Sequence, residues 1–314
     1  MSSTQPPNVT LVADDPEFRI TLHEHPSPAS DRVIVTFGTL PSGLADHGFG
    51  TDFALKNGFS TIHVAQRKQS SYQGLSLDQF TDAVVPALAG RQPVTYGTSL
   101  GGYAAVYYGG IIDAEIVCAA PRLSVLPELG RPLSSTAPCL HLPLDQTPCT
   151  TRRVSFIYDP HQASEAHLMD RYLRHMYPDA VHHVFPFFGH KILESLARTI
   201  RLQSLIAPLL KGEFVSIEAD GTGNAIWNAN RARHALKAGE FDEALQHGYR
   251  SIAIAPTTDG VGALARCLQH TGDHAAAASV LDALRADPQA MRRIHGHVLR
   301  EMERAAGVTA VATG

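Results

Sequence analysis

Between residue 17 and about residue 211, short runs of β-branched and aromatic residues alternate with stretches of helical character. The pattern predicts strands over 18–23, 33–37, 61–66, 94–98, 115–119, 154–158 and 181–185. Val33-Ile34-Val35 and Val154-Ser155-Phe156-Ile157-Tyr158 are nearly continuous runs of this kind, as expected of central strands buried on both faces. Ser76 followed by Gln79 is a capping-box signature that opens a helix through 89. Further helices are predicted over 101–109 and 161–177, the second stopped by Pro178. Strands alternating with helices predict an α/β fold, a mostly parallel central sheet with helices on both faces.

Two stretches depart from this rhythm. Residues 121–151 are rich in Pro, Leu and Ser without a clear period, a long excursion of the kind that forms lids or binding walls. After Gly212 the composition shifts, so a first domain over 1–212, a linker over 213–224 and a small all-α region over 225–306 are expected. In that region Ala-Gly-Glu-Phe-Asp-Glu-Ala, from Ala238, returns as Thr-Gly-Asp-His-Ala-Ala-Ala, from Thr271, an offset of 33 residues. Pro256 and Pro288 repeat at nearly the same spacing, and the region resembles a tetratricopeptide repeat, whose period is about 34. Two units are fewer than the roughly three that stack stably. The tail is therefore expected to lean on the first domain, to self-associate or to meet a protein partner; a helical extension covering apolar surface is the plainer alternative.

Composition narrows the class. With 26 basic and 30 acidic residues, a net charge of -4 and no Lys/Arg block, nucleic acid is not an expected partner. Hydrophobic content of 44% with 18% charged residues is that of a globular chain, not a disordered one. Residues 1–8 have neither the basic nor the apolar segment of a signal peptide, and no apolar run approaches the roughly 20 residues that span a bilayer. No membrane association and a cytoplasmic location are expected. The four cysteines contain no Cys-x-x-Cys pair and read as reduced thiols, with Cys139 and Cys149 close enough in sequence to pair as the alternative.

The sharpest chemical signal is Gly97-Thr98-Ser99-Leu100-Gly101-Gly102, placed where a predicted strand runs straight into a predicted helix. A serine on so tight a turn is strained, and small neighbours let the chains approach closely enough to present its hydroxyl. A Gly-rich connector is the bland alternative, while a phosphate-binding loop lacks the lysine it would need. On this motif and its context, residues 17 to about 211 resemble the α/β-hydrolase family, whose triad runs in the order serine, acid, histidine. The resemblance implies Ser99 as nucleophile. Asp159, at the tip of the 154–158 strand and followed by Pro160, is implied as the acid, with Asp179 and Glu165 as substitutes. His190, after Pro186-Phe187-Phe188-Gly189, is implied as the base; His182 and His183 lie within the strand. It further implies an oxyanion hole from the Leu100 N–H and that of Thr39 or Gly38, although the His-Gly-Gly-Gly run of many lipases is missing here.

Other residues invite weaker readings. Tyr96 and Tyr103 flank the motif as packing residues. Arg67 and Arg122 are candidates for substrate binding at the rim of the sheet, with solvated surface arginine as the alternative. His23 and His25 lack a third ligand nearby, and no metal or cofactor is expected. The resemblance implies a serine hydrolase, an esterase or thioesterase forming an acyl-enzyme on a small-molecule or glycoconjugate substrate. An acyltransferase with the same triad and a catalytically silent scaffold presenting the helical tail are the alternatives.

Overall fold

A computed structural model of the chain describes residues 7–40, 42–123 and 141–308. Residues 124–140, most of the expected lid-like excursion, lie outside the described residues, as does Cys139. The chain forms two compact units: residues 1–184 with 202–217, and residues 185–201 with 218–314. Residues 185–201, expected with the first domain, thus group with the helices.

The first unit is built on eight strands: β1 (Asn8–Asp14), β2 (Phe18–Glu24), β3 (Arg32–Phe37), β4 (Ser60–Gln66), β5 (Gln92–Thr98), β6 (Glu115–Ala119), β7 (Val154–Tyr158) and β8 (Val181–Val184). Their order is β1-β2-β4-β3-β5-β6-β7-β8. β2 runs antiparallel to β1 and β4, and the pairs from β4 through β8 are parallel. Successive side chains of a strand point to opposite faces. In β3, Val33, Val35 and Phe37 join one core cluster while Ile34 and Thr36, of the other parity, are equally buried. Both faces are therefore covered, which accounts for the uninterrupted apolar runs.

Helices α1 (Thr51–Lys56), α2 (Leu77–Leu88), α3 (Leu100–Gly109), α4 (Ala163–Leu168) and α5 (Arg174–Met176) belong to this unit. The capping box of α2 is complete: the Gln79 N–H donates to the Ser76 hydroxyl and the Ser76 N–H to the Gln79 side chain. The helix expected over 161–177 is instead α4, a π-helical turn over Met169–Leu173, and α5. The stacked rings of Phe37 and Tyr108, with Phe80 and Tyr72 against them, fill the core between β3, α2 and α3.

In the second unit, α6 (Ile192–Leu196) lies in the 185–201 segment; α7 (Leu202–Lys211) returns to the first unit. Then follow α8 (Ala225–Ala238), α9 (Phe241–Ile254), α10 (Thr258–Thr271), α11 (His274–Arg285), α12 (Pro288–Arg293) and α13 (Gly296–Ala305). The second helix pair starts 33 residues after the first, at 258 against 225 and at 274 against 241. Gly239 and Gly272 take the left-handed conformation that ends α8 and α10. Ala229, Ala232 and Ala263 pack together where α8 meets α10, and Val261, Leu264, Leu281, Ile294 and Met302 form the core toward α13. Among the described residues, no helix is long and apolar enough to cross a membrane.

Candidate active site

β5 ends at Thr98 and α3 begins at Leu100, leaving Ser99 alone to turn the chain. Ser99 has φ 56° and ψ -122°, a region that a residue with a side chain occupies only under strain of about 1–3 kcal/mol. Such a conformation persists only where its surroundings over-determine it. Here the Ser99 N–H donates to the Ala119 carbonyl on β6 at 3.0 Å, and the Ser99 carbonyl accepts the N–H groups of Tyr103 and Arg122. The flanking glycines are a steric necessity. A Cβ on Gly97 would meet the Gly101 carbonyl, one on Gly101 the Phe37 carbonyl, and one on Gly102 would lie 2.7 Å from the Ala119 oxygen. All three obstacles are backbone.

The same crowding brings the β3 loop to the turn, since a Gly101 Cβ would also lie 3.2 Å from the Gly38 oxygen. Gly38 is buried and Thr39 half-buried, and the Gly38 carbonyl lies beside the first turn of α3, which opens at Leu100. Two residues that sequence reasoning left without a role hold this loop. The Tyr72 hydroxyl lies 3.1 Å from the carbonyls of both Gly38 and Val64, and burial pushes its phenol well above the ordinary range, so it remains a donor. The buried Gln66 amide donates to the Ser42 hydroxyl, while its oxygen accepts the Tyr72 N–H at 2.7 Å and the Ser70 hydroxyl. Gln66 thereby joins the loops after β3 and β4. Arg67 forms an exposed ion pair with Glu17 at 2.7 Å, while the half-buried Arg122 is adjacent to Ser99 through its backbone bond.

Asp159 follows β7, two strands from β5, and is completely buried. One carboxylate oxygen accepts the His161 N–H at 2.9 Å, a bond that fixes the turn at the strand tip. The buried Glu165 carboxylate accepts the Asp159 N–H at 3.4 Å, so the substitute acid named from sequence supports the turn that carries Asp159. Ser99, Leu100, Gly38, Thr39, Arg122 and Asp159 all belong to the first unit; His190 belongs to the second.

An eight-strand sheet of this order, with a left-handed serine between its fifth strand and a glycine-lined helix, decides the architecture. The fold is that of the α/β-hydrolases. Against solved structures, this chain is similar to a sugar hydrolase from Lactococcus lactis, at 12% identity over 65% of this chain and 98% of that one, TM-score 0.47. It is also similar to an α/β serine hydrolase without a lid from Xanthomonas campestris, at 10% identity over 68% and 97%, TM-score 0.44. A third is a carboxylesterase from Bacillus subtilis, at 13% identity over 66% and 93%, TM-score 0.43. No protein-family model matches the chain, and no curated protein does.

Beside α3, Tyr103, Tyr107 and Tyr108 surround His141. Its ring stacks on Tyr107 with centroids 4.0 Å apart, its Nδ1 lies 2.9 Å from the Tyr103 hydroxyl, and its backbone N–H donates to the Gln73 side-chain oxygen. Tyr107 and His141 line a cavity of about 480 Å³ with Gln73, Ser76, Asp78 and Gln79, in the first unit. Tyr103 thus packs, as expected, and so does Tyr96, which is buried against Phe49. Among the described residues, no group of three or more His, Cys, Asp or Glu is placed to hold a metal ion.

Proposed function

We propose that the chain is a serine hydrolase that cleaves an ester or thioester through an acyl-enzyme on Ser99. The observation that carries this reading is Ser99 itself, a strained residue whose conformation is enforced by three glycines against backbone. A Gly-rich connector has no need of a serine held at positive φ. In the proposed cycle the Ser99 hydroxyl attacks the substrate carbonyl while His190 takes its proton, and the tetrahedral oxyanion is met by the N–H groups of Leu100 and of Thr39 or Gly38. The oxyanion collapses, His190 returns the proton to the departing alcohol or thiol, and Ser99 is left acylated. Water then attacks the acyl-enzyme with His190 again as base, releasing the acid. Asp159 holds the imidazole tautomer and stabilises the imidazolium. Its burial and its fixed turn suit it to that role.

The test is labelling with a fluorophosphonate probe, read by intact mass and peptide mapping, on the wild type, Ser99→Ala and His190→Ala. One adduct on Ser99 in the wild type, none in Ser99→Ala and a rate lower by about 10³ or more in His190→Ala are expected. A folded wild type that resists probes of several sizes would refute the reading. The helical region, with its two hairpins at a 33-residue offset, we read as tetratricopeptide-like.

A further inference from the structure

The segment that carries His190 is built by the second unit. Before it, Phe187 has φ 67° and Gly189 φ 78°, two left-handed residues within three positions. Glycine takes that conformation freely, but Phe187 does not, and its surroundings must fix it. Helix α8 supplies them. The Asn230 side-chain amide donates to the Phe187 carbonyl at 3.0 Å, and a Cβ on Gly189 would lie 2.7 Å from the same nitrogen. The Phe187 ring stands edge-on to Trp227, with centroids 5.8 Å apart, and to His234 at 5.3 Å, and the Arg231 guanidinium lies 5.0 Å from its centre. Arg231 is in turn paired with Glu243 of α9.

Beyond His190 a second anchor lies on the same helix. Asn224, the N-cap of α8, accepts the Ile226 N–H with its oxygen and donates with its amide to the Ser195 carbonyl at 2.9 Å. The same amide lies 3.2 Å from the Thr199 hydroxyl. Asn224 and Ser195 are buried, so losing the bond strands both partners. His190 is therefore bracketed, between Phe187 and Ser195, by two asparagines six residues, about 1.7 turns, apart at the start of α8.

We propose that Asn230 and Asn224 are positioning residues for the general base. This rests on the reading of His190 as the base. An imidazole displaced by about 1 Å from the nucleophile costs about a hundredfold in rate, so the side chains that fix its loop are under the same demand as the imidazole itself.

The experiment is a double-mutant cycle in the full chain. Asn230→Ala, Asn230→Asp and Asn224→Ser are made in the wild-type and His190→Ala backgrounds. The readouts are the rate of Ser99 labelling by a fluorophosphonate, followed over hours, and kcat and KM on p-nitrophenyl acetate. Melting temperature selects folded variants, and Asn230→Asp, which keeps the shape but not the donor, stands in if Asn230→Ala does not fold. Expected is a loss of about tenfold to a hundredfold in labelling rate and kcat with KM unchanged, shrinking to about twofold or less once His190 is absent. An equal loss in both backgrounds, or none in either, overturns the proposal. Wild-type labelling of His190→Ala alone removes the base reading first, and the positioning role with it.

Discussion

Gly101→Ala tests whether the nucleophile turn is fixed by backbone contact. The new Cβ would lie 3.0 Å from the Phe37 carbonyl carbon and 3.2 Å from the Gly38 oxygen, with the Phe37 oxygen nearer still. None of these atoms can swing away as a side chain would. A carbon–oxygen contact settles at about 3.3–3.6 Å, so α3 must back away from β3 by about 1 Å. Overpacking of this kind costs about 1–3 kcal/mol, and moving the Leu100 N–H and the Ser99 hydroxyl by that distance removes about 10² in rate. Gly97→Ala is worse, because its Cβ falls on the Gly101 carbonyl with the Gly102 nitrogen 2.8 Å away. Gly102→Ala is milder, at 2.7 Å from the Ala119 oxygen and 3.3 Å from Cys118 Sγ. Gly43, with nothing within 4 Å of its Cβ position, is the control. Urea unfolding and the fluorophosphonate labelling rate should both rank the variants Gly97, Gly101, Gly102, Gly43, from most to least affected. A folded Gly101→Ala labelled at the wild-type rate refutes the reasoning.

Three further outcomes follow from the same unit. Burial lowers the His63 pKa to about 4, with the charges of His23 and His47 adding to it, and burial lowers that of His141 to about 4. Below pH 6.5 the unfolded chain takes up these protons and the folded chain does not. Stability is therefore lost as pH falls from 6.5 to 4, by about 1.4 kcal/mol per pH unit per histidine; urea midpoints that stay flat across this window in the wild type would contradict it. Gln66→Leu removes the partners of the Tyr72 N–H and of the Ser42 and Ser70 hydroxyls, costing about 2–4 kcal/mol in urea unfolding and slowing Ser99 labelling through the β3 loop. Tyr72→Phe takes away only the hydroxyl shared by the Gly38 and Val64 carbonyls and should cost about 1 kcal/mol by the same measurement.

The central strands were legible because burial on both faces demands uninterrupted apolar sequence, as in Val33-Ile34-Val35. β1 was not. It is an edge strand with a bulge between Leu11 and Ala13, and Val9 and Leu11 are half exposed, so it lacks the buried-run signature. The break after Leu168 was hidden too, since a π-helical turn keeps side chains near helical spacing. The turn at Ser99 was readable because each glycine there faces backbone, a requirement that leaves no other residue. The place of Asp159 at the tip of β7 was readable through Pro160, which stops the strand there. The grouping of residues 185–201 with the helices had no local sign. Its partners lie on α8, Asn224 looks like an ordinary helix cap, and Asn230 looks like a surface polar residue.

The backbone outliers beside the two proposed reacting groups are held by different physics, and the difference is testable without knowing the substrate. Ser99 is fixed by exclusion: glycines let strand, helix and loop approach until no other path remains. The Phe187–Gly189 turn is fixed by attraction, through a hydrogen bond from the Asn230 amide, aromatic edges and a guanidinium. A turn held by exclusion is sensitive to added volume and indifferent to lost polarity, so Gly→Ala damages it and nearby Asn→Ala does not. A turn held by attraction fails in the opposite way, when a donor is removed at constant shape, as in Asn230→Asp. If both kinds of substitution slow Ser99 labelling while the Gly43→Ala control does not, the reactivity depends on both turns, each through its own mode of support.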